Sequence, residues 1–173
     1  MIDITNTASP STLGTFTDAG LDDASIVVVK HPYAYISVNG IDAVVVVDIS
    51  NPASMSIVDS FTDAEFDHPN SFVIEGDVLY ALNIVPHRLL AIDISDPTYL
   101  SLLDSIDAAN PGRGLSIENG YAYSFSNNDN RPRIFDISDP SNITQITSTW
   151  PTTPASGNLK KWQIYLFVID KNT

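Results

Sequence analysis

The chain contains 173 residues with a mass of 18.8 kDa, which suits one domain or two small ones. Hydrophobic residues make up 43% of it and charged residues 17%, so it has enough apolar material for a buried core and is not a disordered chain. The net charge of -13 argues against binding to nucleic acid or anionic lipid, and the absence of cysteine excludes disulfides, thiolate metal sites and a cysteine nucleophile.

An internal repeat runs through the chain from its first residues. The string Asp-Ile-Ser or Asp-Ile-Thr recurs at spacings of 45, 45 and 43 residues, beginning at Asp3, Asp48, Asp93 and Asp136. A degenerate copy, Ile169-Asp170-Lys171, follows near the end. The repeat predicts one domain made of units at about 1–23, 24–68, 69–112, 113–149 and 150–173.

Each full unit is predicted to form four short strands. In the first full unit they are roughly Ser25–Lys30, Tyr33–Val38, Ala43–Asp48 and Ser56–Phe61, rich in Val, Ile, Tyr and Phe. Ala43–Val47 is apolar on consecutive residues, which indicates a strand buried on both faces. Asn119-Gly120 is a strong two-residue hairpin signal. The fold class predicted is all-β, a propeller-like array of four-stranded antiparallel blades.

The two ends predict how the array is completed. Ser11–Phe16 has the phase of a lone fourth strand, and Gln163–Asp170 has the phase of a third strand. We therefore expect three complete blades and a composite or partial fourth. If the two ends meet, Ser11–Phe16 should pair with Tyr165–Ile169 in one sheet.

The repeat resembles a known family. The segments 43–52, 89–97 and 133–140, with the Tyr-Ala-Tyr type of strand that precedes them, are similar to the LVIVD repeat family. The resemblance implies β-propeller blades, no general enzyme activity, and a surface or secreted protein. It also implies more blades than this chain supplies, so the remaining blades of a longer chain, or a second copy of this one, are expected partners.

Propeller connectivity sorts the loops onto two faces. One face carries the links between blades and the loops from second to third strands, and we call it the link face. The other, the turn face, carries the Asp-Ile-Ser-x-Pro turns and tight hairpins, where Asp and Ser are expected to accept hydrogen bonds from turn amides. The link face is predicted to bind a ligand through residues that the loops gather there: Asp18, Asp22, Asp63, Asp67, His68, His87, Asp107, Arg113 and Arg131.

Two metal sites are weighed against simpler interpretations. Asp18, Asp63 and Asp107 recur in phase and form either a carboxylate ring for Ca²⁺ or a set of turn-forming aspartates. His68 and His87, with Asp67, form either a zinc site or a set of ordinary loop residues. No spacing motif supports either site, so we predict no metal and no cofactor, with Ca²⁺ as the alternative.

Two functions from different classes remain. The first is a non-catalytic repeat module that binds a protein or carbohydrate, with no nucleic-acid binding and no membrane insertion. The second is a hydrolase or lyase with a polar site on the link face. No nucleophile elbow, phosphate loop or dinucleotide motif favours the second. The family resemblance favours an extracellular or cell-surface location, although Met1–Thr5 does not begin a signal peptide.

Overall fold

A computed structural model describes residues 1–109, 111–126, 131–146, 159–162 and 165–168. Three four-stranded antiparallel sheets, here called blades 1 to 3, are formed in chain order. Blade 1 comprises β3 (Ala24–Lys30), β4 (Tyr33–Val38), β5 (Ala43–Asp48) and β6 (Ser56–Thr62). Blade 2 comprises β7 (Pro69–Glu75), β8 (Val78–Asn83), β9 (Arg88–Asp93) and β10 (Ser101–Asp107). Blade 3 comprises β11 (Pro111–Glu118), β12 (Tyr121–Ser126), β13 (Arg131–Asp136) and β14 (Thr144–Ile146).

The array is all-β and propeller-like, as the repeat predicts. The strands of blade 1 agree with those expected from the sequence to within one residue at each end. The first strands β3, β7 and β11 lie side by side across the blade boundaries. The only helices in the described ranges are two three-residue 3₁₀ turns, Ala19–Leu21 and Asn39–Ile41, and none has the length or apolar character to cross a membrane.

The expected pairing of the two ends is wrong. β1 (Ile2–Asp3) pairs with β2 (Ser11–Thr12), and β15 (Leu159–Trp162) pairs with β16 (Tyr165–Val168). Within the described residues both are separate two-stranded sheets, and β15 lies against β11 of blade 3. Hairpin pairing closes a much shorter loop than pairing between distant ends and costs less chain entropy.

The third strands carry the core on both of their faces. In β5, Val44 and Val46 pack between blades 1 and 2, whereas Val45 faces the opposite side of blade 1. In β9, Leu90 faces blade 1 and Leu89 faces blade 3. This confirms that a consecutive apolar run here indicates a strand buried on both faces.

Two carboxylates in fourth strands join each blade to the next. Asp59 of β6 accepts a hydrogen bond from the backbone N–H of Leu100 at 2.9 Å. Asp104 of β10 accepts one from the N–H of Ile143 at 2.6 Å. Leu100 and Ile143 are buried, so these carboxylates satisfy backbone donors that water does not reach.

Candidate functional site

The aspartates of the Asp-Ile-Ser-x-Pro turns are occupied by local hydrogen bonds. Asp48 and Asp136 each accept the backbone N–H two residues ahead, at 2.8 and 3.0 Å. These bonds favour the charged form and lower the pKa of both carboxyls: the Ser50 amide is the main cause for Asp48, and the Ser138 hydroxyl for Asp136. The structural interpretation of the repeated Asp is confirmed.

The in-phase aspartates of the link face also form turns. Asp18, Asp63 and Asp107 accept the backbone N–H two residues ahead at 2.8, 2.9 and 2.7 Å. In the described ranges, no two of these three carboxylates belong to a group of side chains close enough to share a metal ion. They are turn-forming residues, as the simpler interpretation expects.

A different set of side chains converges on the link face, and we call it the His68 cluster. It consists of Asp42, from the loop between β4 and β5, and Asp67 and His68, from the link between blades 1 and 2. One ligand atom from each lies within 4.8 Å of the others. His68 Nδ1 hydrogen-bonds Asp67 and lies 3.8 Å from Asp42 Oδ1.

The backbone and the local field both shape this cluster. Asp42 and His68 have φ values of 48° and 42°, in the left-handed region that Asp and His tolerate better than most residues. The hydrogen bond and charge of Asp67 raise the pKa of His68, and the charges of Asp42 and Asp23 raise it further. Carboxylates from three separate loops therefore act on one imidazole.

The cluster offers two chemical possibilities. Two carboxylates and an imidazole can supply oxygen and nitrogen ligands to one divalent cation. Alternatively, the same negative field can hold a positive charge, which protonated His68 already supplies. The absence of a resident metal stays a prediction.

A polar network adjoins the cluster. Arg88 pairs with Glu65 at 3.1 Å, and the Ser105 hydroxyl donates to the same carboxylate. The side-chain amide of Asn83 donates to the Glu65 carbonyl at 2.6 Å. The side-chain oxygen of Asn83 is buried without a hydrogen-bond partner in the described part of the chain, and so is Nδ1 of His87. Unpaired buried polar atoms of this kind mark places that a ligand or water can complete.

The remaining predicted residues fall in separate places. Asp22 lines an open cavity of about 400 Å³ together with Asp18 and Phe16, on the far side of blade 1. Arg113 and Arg131 lie in β11 and β13, but their side chains are outside the described residues. The structure thus brings together Asp67 and His68 from the predicted set.

A family model describes most of this architecture. The LVIVD repeat model matches residues 22–63, 84–108 and 112–149, which is more than half of the chain. The chain belongs to the LVIVD repeat family. No curated protein matches this LVIVD chain.

Two solved structures are similar to the LVIVD chain. One is a functionally unknown protein from Desulfotomaculum acetoxidans DSM 771, with a TM-score of 0.61 and 13% identity, covering 72% of this chain and 41% of that one. The other is the N-terminal domain of Nup159, with a TM-score of 0.52 and 15% identity, covering 82% of this chain and 37% of that one. Both therefore show the fold alone, and the LVIVD chain spans about two fifths of their length.

Sequence reasoning missed Asp42, Glu65 and Asn83. Asp42 lies in a loop of the type assigned to the link face, after Asn39-Gly40, so loop sorting alone could have included it. Glu65 and Asn83 have no such signal, because neither recurs in the LVIVD repeat. Only the packing of blade 1 on blade 2 reveals their positions.

His68 is expected to make the stability of the LVIVD chain depend on pH. Its folded-state pKa is raised above 6.5, so its contribution is complete below about pH 6.5 and is lost as pH rises through the higher folded value. Asparagine tolerates the positive φ at this position, so we expect His68→Asn to reduce the loss of folding stability as pH rises. Urea unfolding between about pH 5.5 and 8.5 measures it.

The matched control for this measurement is His87→Asn. His87 also has a positive φ, 65°, but lies outside the His68 cluster, so the fall with pH should persist in that variant. A wild-type chain whose stability is flat over this range would contradict the ion pairing described for His68.

Proposed function

We propose that the chain is a non-catalytic binding module of a surface or secreted protein, and that a positively charged ligand binds its link face at the His68 cluster. The observation that supports this most is that carboxylates from two different loops, Asp42 and Asp67, converge on the exposed imidazole of His68, with one ligand atom of each residue within 4.8 Å of the others. A site that stabilises a proton on His68 also attracts a lysine or arginine side chain of a partner. The net charge of -13 adds a long-range attraction for the same positively charged ligand.

The turn face provides the contrast that favours the link face. The aspartates that begin its Asp-Ile-Ser-x-Pro turns recur in every blade and are occupied by turn amides, as in Asp93, which accepts the N–H of Ser95 at 2.8 Å. The carboxylates of the His68 cluster are not part of that repeated pattern. Residues that depart from the repeat are the ones that blade formation does not explain.

A hydrolytic role has less support. The Ser105 hydroxyl is the closest approach to a nucleophile near the cluster, and it bonds to the Glu65 carboxylate. A nucleophile–base pair requires a base, such as an imidazole, that hydrogen-bonds the hydroxyl. In the ranges that the structure covers, no imidazole hydrogen-bonds the Ser105 hydroxyl. Glu65 also pairs with Arg88, so the network ties the link between blades to β9 and β10.

The test uses hexalysine as the probe and compares two double variants of equal net charge. Asp42→Asn with Asp67→Asn should weaken hexalysine binding about three- to ten-fold, because two exposed ion pairs contribute modestly each. Binding measured by calorimetry should also weaken between about 20 and 200 mM NaCl, since the attraction is screened.

The control double variant is Asp96→Asn with Asp139→Asn on the turn face. Asn51 occupies the same repeat position in blade 1 and accepts the Ala53 N–H at 3.0 Å, so asparagine preserves these turns. The control double variant should weaken hexalysine binding by less than about two-fold. Equal weakening by both double variants would show that net charge alone governs binding and would overturn the proposal, as would no binding of hexalysine.

A further inference from the structure

One carboxylate oxygen of the His68 cluster is left without a hydrogen-bond partner. The side chain of Asp42 is 48% exposed as a whole, but its Oδ1 atom is buried and accepts no hydrogen bond from any residue that the structure describes. The same Oδ1 atom lies 3.8 Å from Nδ1 of His68. A buried carboxylate oxygen without a donor is unfavourable, so the cluster favours a further positive charge beside Asp42.

The three ligand atoms of the cluster have nearly the spacing of a metal site. One atom from each of Asp42, Asp67 and His68 lies within 4.8 Å of the others. Ligand atoms bonded to zinc at about 2.0–2.2 Å stand about 3.3–3.6 Å apart in tetrahedral geometry. The separation of 3.8 Å between Asp42 Oδ1 and His68 Nδ1 therefore has to close by only roughly 0.2–0.5 Å.

Backbone hydrogen bonds fix the loops that carry two of these ligands. Asp42 follows the 3₁₀ turn Asn39–Ile41, and its N–H donates to the Asn39 carbonyl at 3.4 Å. The carbonyl of His68 accepts the N–H of Ile84, just after β8, at 3.3 Å. The loop of blade 1 and the link to blade 2 therefore each hold their ligand in place.

The hydrogen bond between Asp67 and His68 is compatible with a bound ion. These two side chains already satisfy each other. An ion bonded to both takes the place of the proton between them, and the neutral imidazole then keeps its one proton on Nε2. Asp67 and His68 exchange one partner for another, whereas Asp42 gains a partner that it lacks.

We propose that the His68 cluster binds one exchangeable divalent transition-metal ion of the Zn²⁺ type. The proposal deepens the proposed function, because it rests on the same site and names a second class of cation for it. An imidazole nitrogen among three ligands favours Zn²⁺ over Ca²⁺, which takes about six to eight oxygen ligands. Two carboxylates neutralise the charge of a divalent ion. The His68 side chain is 63% exposed, so the remaining coordination position is open to water and the ion exchanges with the solvent.

His87 provides the matched control position. It occupies the same repeat position in blade 2 as Asp42 does in blade 1, and its φ of 65° is also in the left-handed region. His87 is not part of the group of three ligands. Its imidazole therefore separates a site built from Asp42, Asp67 and His68 from one that needs both loop histidines.

The test is a calorimetric titration of the full chain, stripped of metal by a chelator, with zinc chloride. We expect one site with a dissociation constant of about 1–100 µM. His68→Asn should weaken zinc binding at least about ten-fold, because it removes the nitrogen ligand of the cluster. Asp42→Asn should weaken it about three- to ten-fold, because it keeps an oxygen but removes the charge. His87→Asn should leave zinc binding unchanged.

A second measurement serves if either variant proves unstable. Paramagnetic Co²⁺, added to the isotope-labelled wild-type chain, should broaden or shift the amide signals of residues 42, 67 and 68 first. The signals around His87 should change less. Prior addition of zinc should suppress the effect of Co²⁺, since the two ions compete for one site.

Three results would overturn the proposal. They are zinc binding weaker than about 1 mM, equal weakening by His87→Asn and His68→Asn, and saturable binding of Ca²⁺ at the cluster in place of Zn²⁺. Zinc and hexalysine are titrated separately. Hexalysine binding without zinc binding therefore contradicts only the metal site, and zinc binding without hexalysine binding contradicts only the proposed function.

Discussion

Leu90→Ala is expected to lower the free energy of unfolding by about 2–5 kcal/mol. Leu90 is fully buried and packs in the cluster that contains Val44 and Val46 of blade 1 and Ile92 of blade 2. Truncation removes apolar contacts and leaves a cavity at a boundary between two stiff sheets, which can collapse only in part. For a chain of this length, the melting temperature should fall by about 2–4 °C for each kcal/mol. Thermal and urea unfolding followed by circular dichroism measure both quantities.

Val29→Ala serves as the control for Leu90→Ala. Val29 lies on the opposite face of blade 1 and is 58% exposed, so its truncation should change the free energy of unfolding by less than about 1 kcal/mol. Similar losses for the two variants would mean that the boundary between blades 1 and 2 is not the packed core described here.

Asp59→Ala is expected to destabilise the chain by about 1–3 kcal/mol although Asp59 is not apolar. The substitution leaves the Leu100 N–H, now bonded at 2.9 Å, buried without an acceptor. It also removes a link between blades 1 and 2, so hydrogen exchange at Leu100 should accelerate more than the global loss of stability accounts for. Asp104→Ala should have the same two effects at the boundary between blades 2 and 3, because Asp104 accepts the Ile143 N–H.

The two variants should combine additively, since they act at different boundaries and share no partner. Asp22→Ala provides the control, because the Asp22 side chain is exposed and caps no buried donor; its effect should lie within about 0.5 kcal/mol. If Asp59→Ala were as mild as Asp22→Ala, water would reach the Leu100 amide, and the carboxylate would not join the blades.

Recurrent and non-recurrent residues divide the molecule between architecture and recognition. The recurrent carboxylates, such as Asp48 in the turns and Asp59 between blades, bind backbone amides of this chain. In the His68 cluster on the link face, Asp42 and Asp67 lie beside an imidazole instead. The cationic ligand proposed for the link face is therefore assigned to carboxylates outside the Asp-Ile-Ser-x-Pro turns.

The sequence by itself determined the blades and the chemistry of their turns. Alternation, turn residues and a repeat of about 45 residues are local signals, so strand bounds such as Ala43–Asp48 could be predicted directly. The role of Asp48 was equally accessible, because its hydrogen-bond partner Ser50 is only two residues away.

Only the tertiary structure decided which loops meet. Asp42 and Asp67 belong to different connections, and their approach to His68 depends on how the loops of blade 1 sit beside the link to blade 2. Lys30 and Asp77 are 47 residues apart and meet only because two blades pack face to face. The pairing of the chain ends was mispredicted for the same reason: repeat phase identifies a strand, but the choice of its neighbour depends on loop-closure entropy and on packing against blade 3, which no local pattern records.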